Sequence, residues 1–283
     1  MRPSALSASE KREYQEYLQL LDRIKAATPI PNNESEQQKR ERVTKLRSDF
    51  PAFCKYYFPI YMDADFGWFH KKAAKEISAD NNIRCVLEWP REHAKSVFAD
   101  VFMPLYLYAR GELTGVVIGS ATQDKASNLL SDLQAQFTAN ERFIHDYGQR
   151  AAFGDWRDSH FATTDGCGFW AFGRGQSPRG VRKAAKRPNY AIVDDIDDKV
   201  IVKNRTRVKE AVDWVIEDLY GTCAIQGARL IVAGNRIHKH SILAHIVGDT
   251  DPEQPKRKGI THIKVYALED KRHQKAMNGL PVT

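Results

Sequence analysis

Thiols are few and scattered in this sequence. The four cysteines, Cys54, Cys85, Cys167 and Cys223, form no C-x-x-C pair, which argues against a zinc site or a disulfide framework and fits a reducing cytosolic setting. No apolar run approaches the length of a membrane span, and residues 1–32 lack the apolar core of a signal peptide. There is no internal repeat and no low-complexity tract. Acidic charge is also short: 43 Lys and Arg stand against 36 Asp and Glu, a net charge of +7. That balance suits a polyanionic partner and equally suits a merely basic soluble protein. The basic residues cluster at Lys183, Lys186 and Arg187, at Lys199, Lys203, Arg205, Arg207 and Lys209, and at Lys256-Arg257-Lys258, which tips the reading modestly toward nucleic acid.

What remains is a 283-residue globular composition, 42% hydrophobic and 28% charged, enough for one large core with or without an appendage. Tyr14, Tyr17, Leu18, Leu21 and Ile24 recur at helical spacing, and Pro29-Ile30-Pro31 ends that helix. A second, highly charged helix is predicted over Glu34 to Arg47. Both helices serve either as docking arms for partners or as a preface folded back on the chain's own domain. From about Ile83 strands and helices alternate. Strand-like runs fall at Arg84 to Leu87, Gly115 to Gly119, Tyr190 to Val193, Arg229 to Ala233 and His262 to Ala267. Helical periodicity joins Ala126, Leu129, Leu130, Leu133 and Phe137, and again Val208, Ala211, Val212, Val215 and Leu219. The pattern predicts an α/β domain with a largely parallel sheet. A β-hairpin is expected between Phe161 and Phe172, and Pro104 is expected to kink the helix that contains it.

Trp89-Pro90-Arg91-Glu92-His93-Ala94-Lys95-Ser96 is the stretch with the most chemistry. It lies between the apolar run ending at Leu87 and a helical run containing Val97, Phe98, Val101 and Phe102. A strand that opens through a short loop into a helix carrying Lys-Ser in its first turn is a phosphate-binding geometry. The helix start offers unpaired N–H groups and partial positive charge, Lys95 adds a full charge, and the Ser96 hydroxyl can ligate Mg²⁺. Glycine is what this loop lacks. The two glycine positions of G-x-x-x-x-G-K-[ST] hold Trp89 and Ala94, so an ordinary strand-to-helix turn competes with the phosphate-loop reading.

Further segments add to it. Tyr190-Ala191-Ile192-Val193-Asp194-Asp195 is an apolar strand ending in paired acids, with Asp194 suited to a metal and Asp195 to a catalytic base; Asp197 and Asp198 are alternates. Leu230 to Ala233 leads into Gly234-Asn235, where Asn235 can reach the γ-phosphate or its water, with Arg236 and His238 near the same edge. Arg91 can neutralise charge developing on the transferred phosphate. The segment Gly173 to Arg182 is glycine-rich and basic: it presents an arginine to a neighbour's site, touches DNA, or is a solvated loop. Phe66-Gly67-Trp68-Phe69-His70 precedes a helix, and its aromatics and histidine suit an adenine pocket or plain core packing.

Taken in order, these segments resemble the ATPase domain of the large terminase subunit of tailed bacteriophages, a motor that packages DNA. The carriers are Phe66–His70, Pro90–Ser96, Val116–Leu133, Arg179-Gly180, Arg187–Asp195, Trp214 and Gly234–His238, across about Phe50 to Ala267. The resemblance implies a P-loop NTPase core of the ASCE or RecA-like kind over 51–270, a helical extension over 1–50 and a tail over 271–283. It implies ATP and Mg²⁺, with His70, Pro90, Arg91, Glu92, His93, Ala94, Lys95 and Ser96 forming the nucleotide site. Ser96 and Asp194 would hold Mg²⁺, Asp195 would activate water, and Asn235 would take the coupling position, often Thr in relatives. Arg179 or Arg182 would enter a neighbour's site within a homo-oligomeric ring. Double-stranded DNA, a portal protein and a small terminase subunit are the implied partners, in the host cytoplasm and without a membrane. Such subunits normally continue into a metal-dependent nuclease; after the His262 run only Glu269 and Asp270 remain as acids, so no DNA cleavage is expected of this chain. The competing readings are a helicase-like nucleic-acid-stimulated ATPase, which usually needs two such cores, and a non-hydrolysing basic scaffold for DNA or a partner.

Overall fold

The computed structural model describes residues 7–156, 159–178, 180–181, 186–249 and 259–266. Eight strands form one sheet: β1 (Arg84–Glu88), β2 (Gly115–Ser120), β3 (Ala151–Trp156), β4 (His160–Thr163), β5 (Gly168–Gly173), β6 (Tyr190–Asp194), β7 (Arg229–Gly234) and β8 (Thr261–Lys264). Their order is β3-β4-β5-β2-β6-β7-β1-β8. The strands from β5 to β8 in that order run parallel, and β3 and β4 add an antiparallel edge. Helices cover both faces, so β2, β6 and β7 are buried along their whole length, which is why they read as unbroken apolar runs. The architecture is the expected α/β one, consistent with a P-loop NTPase core. The expected 161–172 hairpin forms as β4–β5, and β5 also pairs with β2 and so extends the main sheet. The last strand ends at Lys264, and Ala267 lies outside the described residues.

One face of the sheet carries α3 (Phe50–Tyr57), α4 (Trp68–Ala79), α5 (Met103–Ala109), α6 (Gln123–Ala139) and α7 (Glu141–Tyr147); the other carries α8 (Arg205–Asp213) and α9 (Ile242–Val247). Local chemistry starts several of them. Asp49, Thr122, Asn140, Asn204 and Ser241 each accept a backbone N–H at a helix start. The two N-terminal helices, α1 (Ala8–Ala27) and α2 (Glu36–Ser48), fold back on the domain. Ile24 of α1 is buried against Ala135 and Ala139 of α6, and Arg42 of α2 forks onto Asp146 of α7. Among the described residues no helix is long and apolar enough to cross a membrane.

Pro104 does distort its helix, as a change of winding. The turn before it, Val97–Phe102, is π-helical, with Met103 N–H bonded to Phe98 O; the wider ring leaves room where the proline ring would clash with the carbonyl four residues back. The run expected over Val208 to Leu219 likewise becomes π-helical at Trp214–Leu219. Gly119 lets Trp214 and Leu219 lie directly on β2, since a Cβ there would sit 2.7 Å from Leu219 Cδ2.

Candidate active site

Parallel strands place their C-terminal ends together, and here those ends carry the sequence-marked groups. In register, Glu88 of β1 lies beside Gly234 of β7, and Asp194 of β6 beside Ala233 of β7. Strand β7 therefore stands between the loop strand and the acid strand. The connection from β1 to β2 crosses one face while that from β7 to β8 crosses the other, so the crevice opens where the chain diverges.

The loop from Trp89 to Ala94 has the backbone that glycines would supply, without the glycines. Glu92 and Ala94 both adopt positive φ, at 64° and 50°, a region costing an L residue roughly 1–2 kcal/mol. Surrounding contacts hold it there. Trp89 is 1% exposed and packs edge-on against Phe69 and His70 at 4.8 and 5.0 Å. His93 Nδ1 lies 2.9 Å from the Arg91 carbonyl. Ala94→Gly is expected to stabilise the protein by up to about 1 kcal/mol, the relieved strain exceeding the added chain entropy, and Ala94→Val to destabilise it. Urea denaturation decides: a clear loss of stability with glycine contradicts a strained Ala94.

His70 braces the loop from behind. Its Nδ1 accepts the Gly67 N–H at 3.1 Å, so the proton sits on Nε2, which donates to the His93 carbonyl at 3.0 Å. Burial drops its pKa to about 4, and the ring is neutral near pH 7. With both nitrogens committed to backbone, His70 is a positioning residue of the loop and has no free nitrogen for a nucleotide. Phe66 and Phe69 are buried beside it in the core, which accounts for the aromatics without an adenine pocket.

Lys95 opens the helix and is 8% exposed; Asp194 is 2% exposed. Ser96 and Lys95 both lie close enough to favour the Asp194 carboxylate. Burial outweighs both and raises the Asp194 pKa. Tyr190 OH donates to Ala99 O at 3.2 Å and ties the acid strand to the loop helix. Asp195 turns outward with φ 44°, its N–H donating to Asp194 Oδ1 at 3.0 Å. It borders a cleft of about 410 Å³ together with Arg91, Glu92, Lys95 and Asn235, and with Lys125 from the first turn of α6. A larger opening, about 570 Å³, lies at the opposite sheet edge around Glu112 and Arg229; no loop-to-helix start carrying Lys-Ser faces it.

No protein-family model matches the chain, and no curated protein matches it. Large terminases are among its structural neighbours. Two crystal forms of the large terminase from a thermophilic bacteriophage match at 14% identity, with TM-scores of 0.39 and 0.40. They cover 75% and 76% of this chain, and this chain spans about half the length of those proteins (49% and 50%). These neighbours are of the kind that the sequence resemblance names.

The remaining sequence-marked residues have other partners. Asp197 accepts the N–H groups of Ile242 and Leu243 at the start of α9. Asp198 pairs with Arg174 and accepts from Val200 and Ile201, while Asp197 also borders the cleft of Asp195. Arg236 is held by Glu88 and Asp249. Arg179 and Arg182 lie outside the described residues. Sequence reasoning missed Lys125, whose signal is a cation in the first turn after a strand, and Glu88. Burial pushes the Glu88 carboxyl up, but His262, Arg236 and Lys264 outweigh it and hold it down at about 2. It also missed Asp100, an acid inside an apolar helical run.

Proposed function

We propose that this chain is an ATP hydrolase acting as the motor of viral DNA packaging. The reading is carried by one observation: Lys95, Ser96 and Asp194 meet at one end of the sheet, with Asp195 bordering the same cleft. The triphosphate lies over the helix start, where backbone N–H groups, Lys95 and Arg91 offset its charge. Ser96 and Asp194 are hard oxygen donors close to one another, and a cation beside them would offset a buried carboxylate that Lys95 offsets only in part; they would hold magnesium, which neutralises phosphate charge when bound. Asp195 accepts the proton of the attacking water, and Asn235 orients that water or the γ-phosphate. Lys125 adds a third cation at the mouth.

The proposed polymer is double-stranded DNA. Lys199, Lys203, Arg205, Arg207 and Lys209 are exposed, and none makes an ion pair with the described residues. Arg205 reaches His240 at 3.4 Å, so this basic stretch adjoins the loop that follows Asn235. Mobile counterions released from phosphates would drive such binding. A homo-oligomeric ring, the portal, the small terminase subunit and the host cytoplasm come with the sequence resemblance and belong to the same proposal. The test is a titration with ATP and Mg²⁺, followed by phosphate release with and without duplex DNA. Saturable Mg²⁺-dependent binding and DNA-stimulated release are expected. No saturable nucleotide binding overturns the proposal in favour of a basic scaffold.

A further inference from the structure

Asp100 has no role in the hydrolysis just described, yet it sits against the residues that perform it. It lies one helical turn beyond Ser96 in the π-helical stretch and is 2% exposed. Its neighbours Phe98, Ala99, Val101 and Phe102 are buried and apolar. Neither Oδ1 nor Oδ2 receives a hydrogen bond. The Asp194 carboxylate is close enough to act on Asp100, and the Ser96 hydroxyl is close enough to favour that same carboxylate. Burial first, and then the Asp194, Asp132 and Asp195 carboxyls, raise its pKa well above the usual carboxylate range.

A buried carboxylate with no donor and an acid for a neighbour is costly, and native proteins keep such groups where something outside the chain satisfies them. Two carboxylates and a hydroxyl in one water-poor spot form a hard-oxygen donor set that a small divalent cation matches. We propose that Asp100 belongs to the divalent-cation site of Ser96 and Asp194, as a ligand directly or through one water. The inference rests on the assignment of those two residues under the proposed function. Its consequence is specific. A site with one carboxylate and one hydroxyl depends on substrate phosphates to retain magnesium, whereas a second carboxylate lets the protein hold the cation before nucleotide arrives.

The test uses the full chain without nucleotide and Mn²⁺ as the probe, with free Mn²⁺ followed by electron paramagnetic resonance and Mg²⁺ as competitor. One saturable site displaced by Mg²⁺ is expected, weakened at least tenfold in Asp100→Asn and in Asp194→Asn. A second readout is thermal: Mn²⁺ should raise the melting temperature of the parent and leave that of Asp100→Asn unmoved. Without metal, Asp100→Asn should melt no lower than the parent, because a neutral amide replaces an acid whose pKa burial and Asp194 already raise; Asp100→Ser repeats the affinity measurement should the amide not fit. Parent-like Mn²⁺ affinity in Asp100→Asn beside a weakened Asp194→Asn overturns the role of Asp100 and leaves the magnesium assignment standing. No Mn²⁺ binding by the nucleotide-free parent overturns it too. Parent-like affinity in both variants removes the Ser96–Asp194 assignment as well.

Discussion

Lys95→Ala is expected to lower ATP turnover roughly 10²–10³-fold, the usual effect of removing one preorganised group that meets transition-state charge. The side chain is nearly buried at a helix start, where its charge acts in a low-dielectric setting and already influences Asp194. Asp194→Ala is expected to fall as far. It removes the acid that Ser96 and Lys95 favour and that accepts the Asp195 N–H, so the proposed metal ligand and the orientation of the proposed base go together. Phosphate release at saturating ATP and Mg²⁺ measures both, with circular dichroism as the check on folding. Parent-like hydrolysis by both variants would reject the site.

The largest effect on stability is expected far from the cleft, at Asp146. Its side chain is fully enclosed and accepts from Arg42 Nη1 at 2.6 Å, Arg42 Nη2 at 3.0 Å and Tyr57 OH at 2.6 Å. Arg42 also forks onto Glu34, so one carboxylate joins α2, α3 and α7 while its arginine holds the segment just before α2. Asp146→Ala leaves the Tyr57 phenol without its acceptor and Arg42 with Glu34 alone, and breaking a buried pair costs up to about 3–5 kcal/mol. At roughly 2–4 °C per kcal/mol for a chain approaching this size, the melting temperature should fall by on the order of 10 °C. Asp146→Asn, which keeps one acceptor oxygen, should lose less. A melting temperature within a degree or two of the parent would show that the N-terminal helices are held by apolar contacts alone.

The glycine-poor loop bears on the scaffold reading. From the sequence, Trp89 and Ala94 count against nucleotide use, because glycine is the residue that takes positive φ cheaply. In the folded chain Ala94 takes that φ regardless, and Trp89 is built into the aromatic core around Phe69 and Phe98. The objection from composition loses force once packing sets the backbone.

The central strands and the α6 and α8 periodicities were legible in the residue order because burial on one or both faces imposes a period that a one-dimensional reading detects. So was the Lys95-Ser96 helix start, since it is local in the chain. The partners of Asp197, Asp198 and Arg236 were not: each is chosen by a group dozens of residues away or by the start of another helix. His70 was marked as part of the nucleotide site, and its ring instead supports the loop, a distinction between two neighbours that spacing does not encode.

By itself the residue order determined an α/β chain with a helical preface, a phosphate-loop-like turn at Lys95 and paired acids at Asp194 and Asp195, because these follow from periodicity and short-range chemistry. Only the tertiary structure decided that β7 separates the loop strand from the acid strand, that Lys125 enters the cleft, and that Asp100 is buried against Asp194. Those are juxtapositions between distant segments, fixed by how the helices pack on the two faces of the sheet.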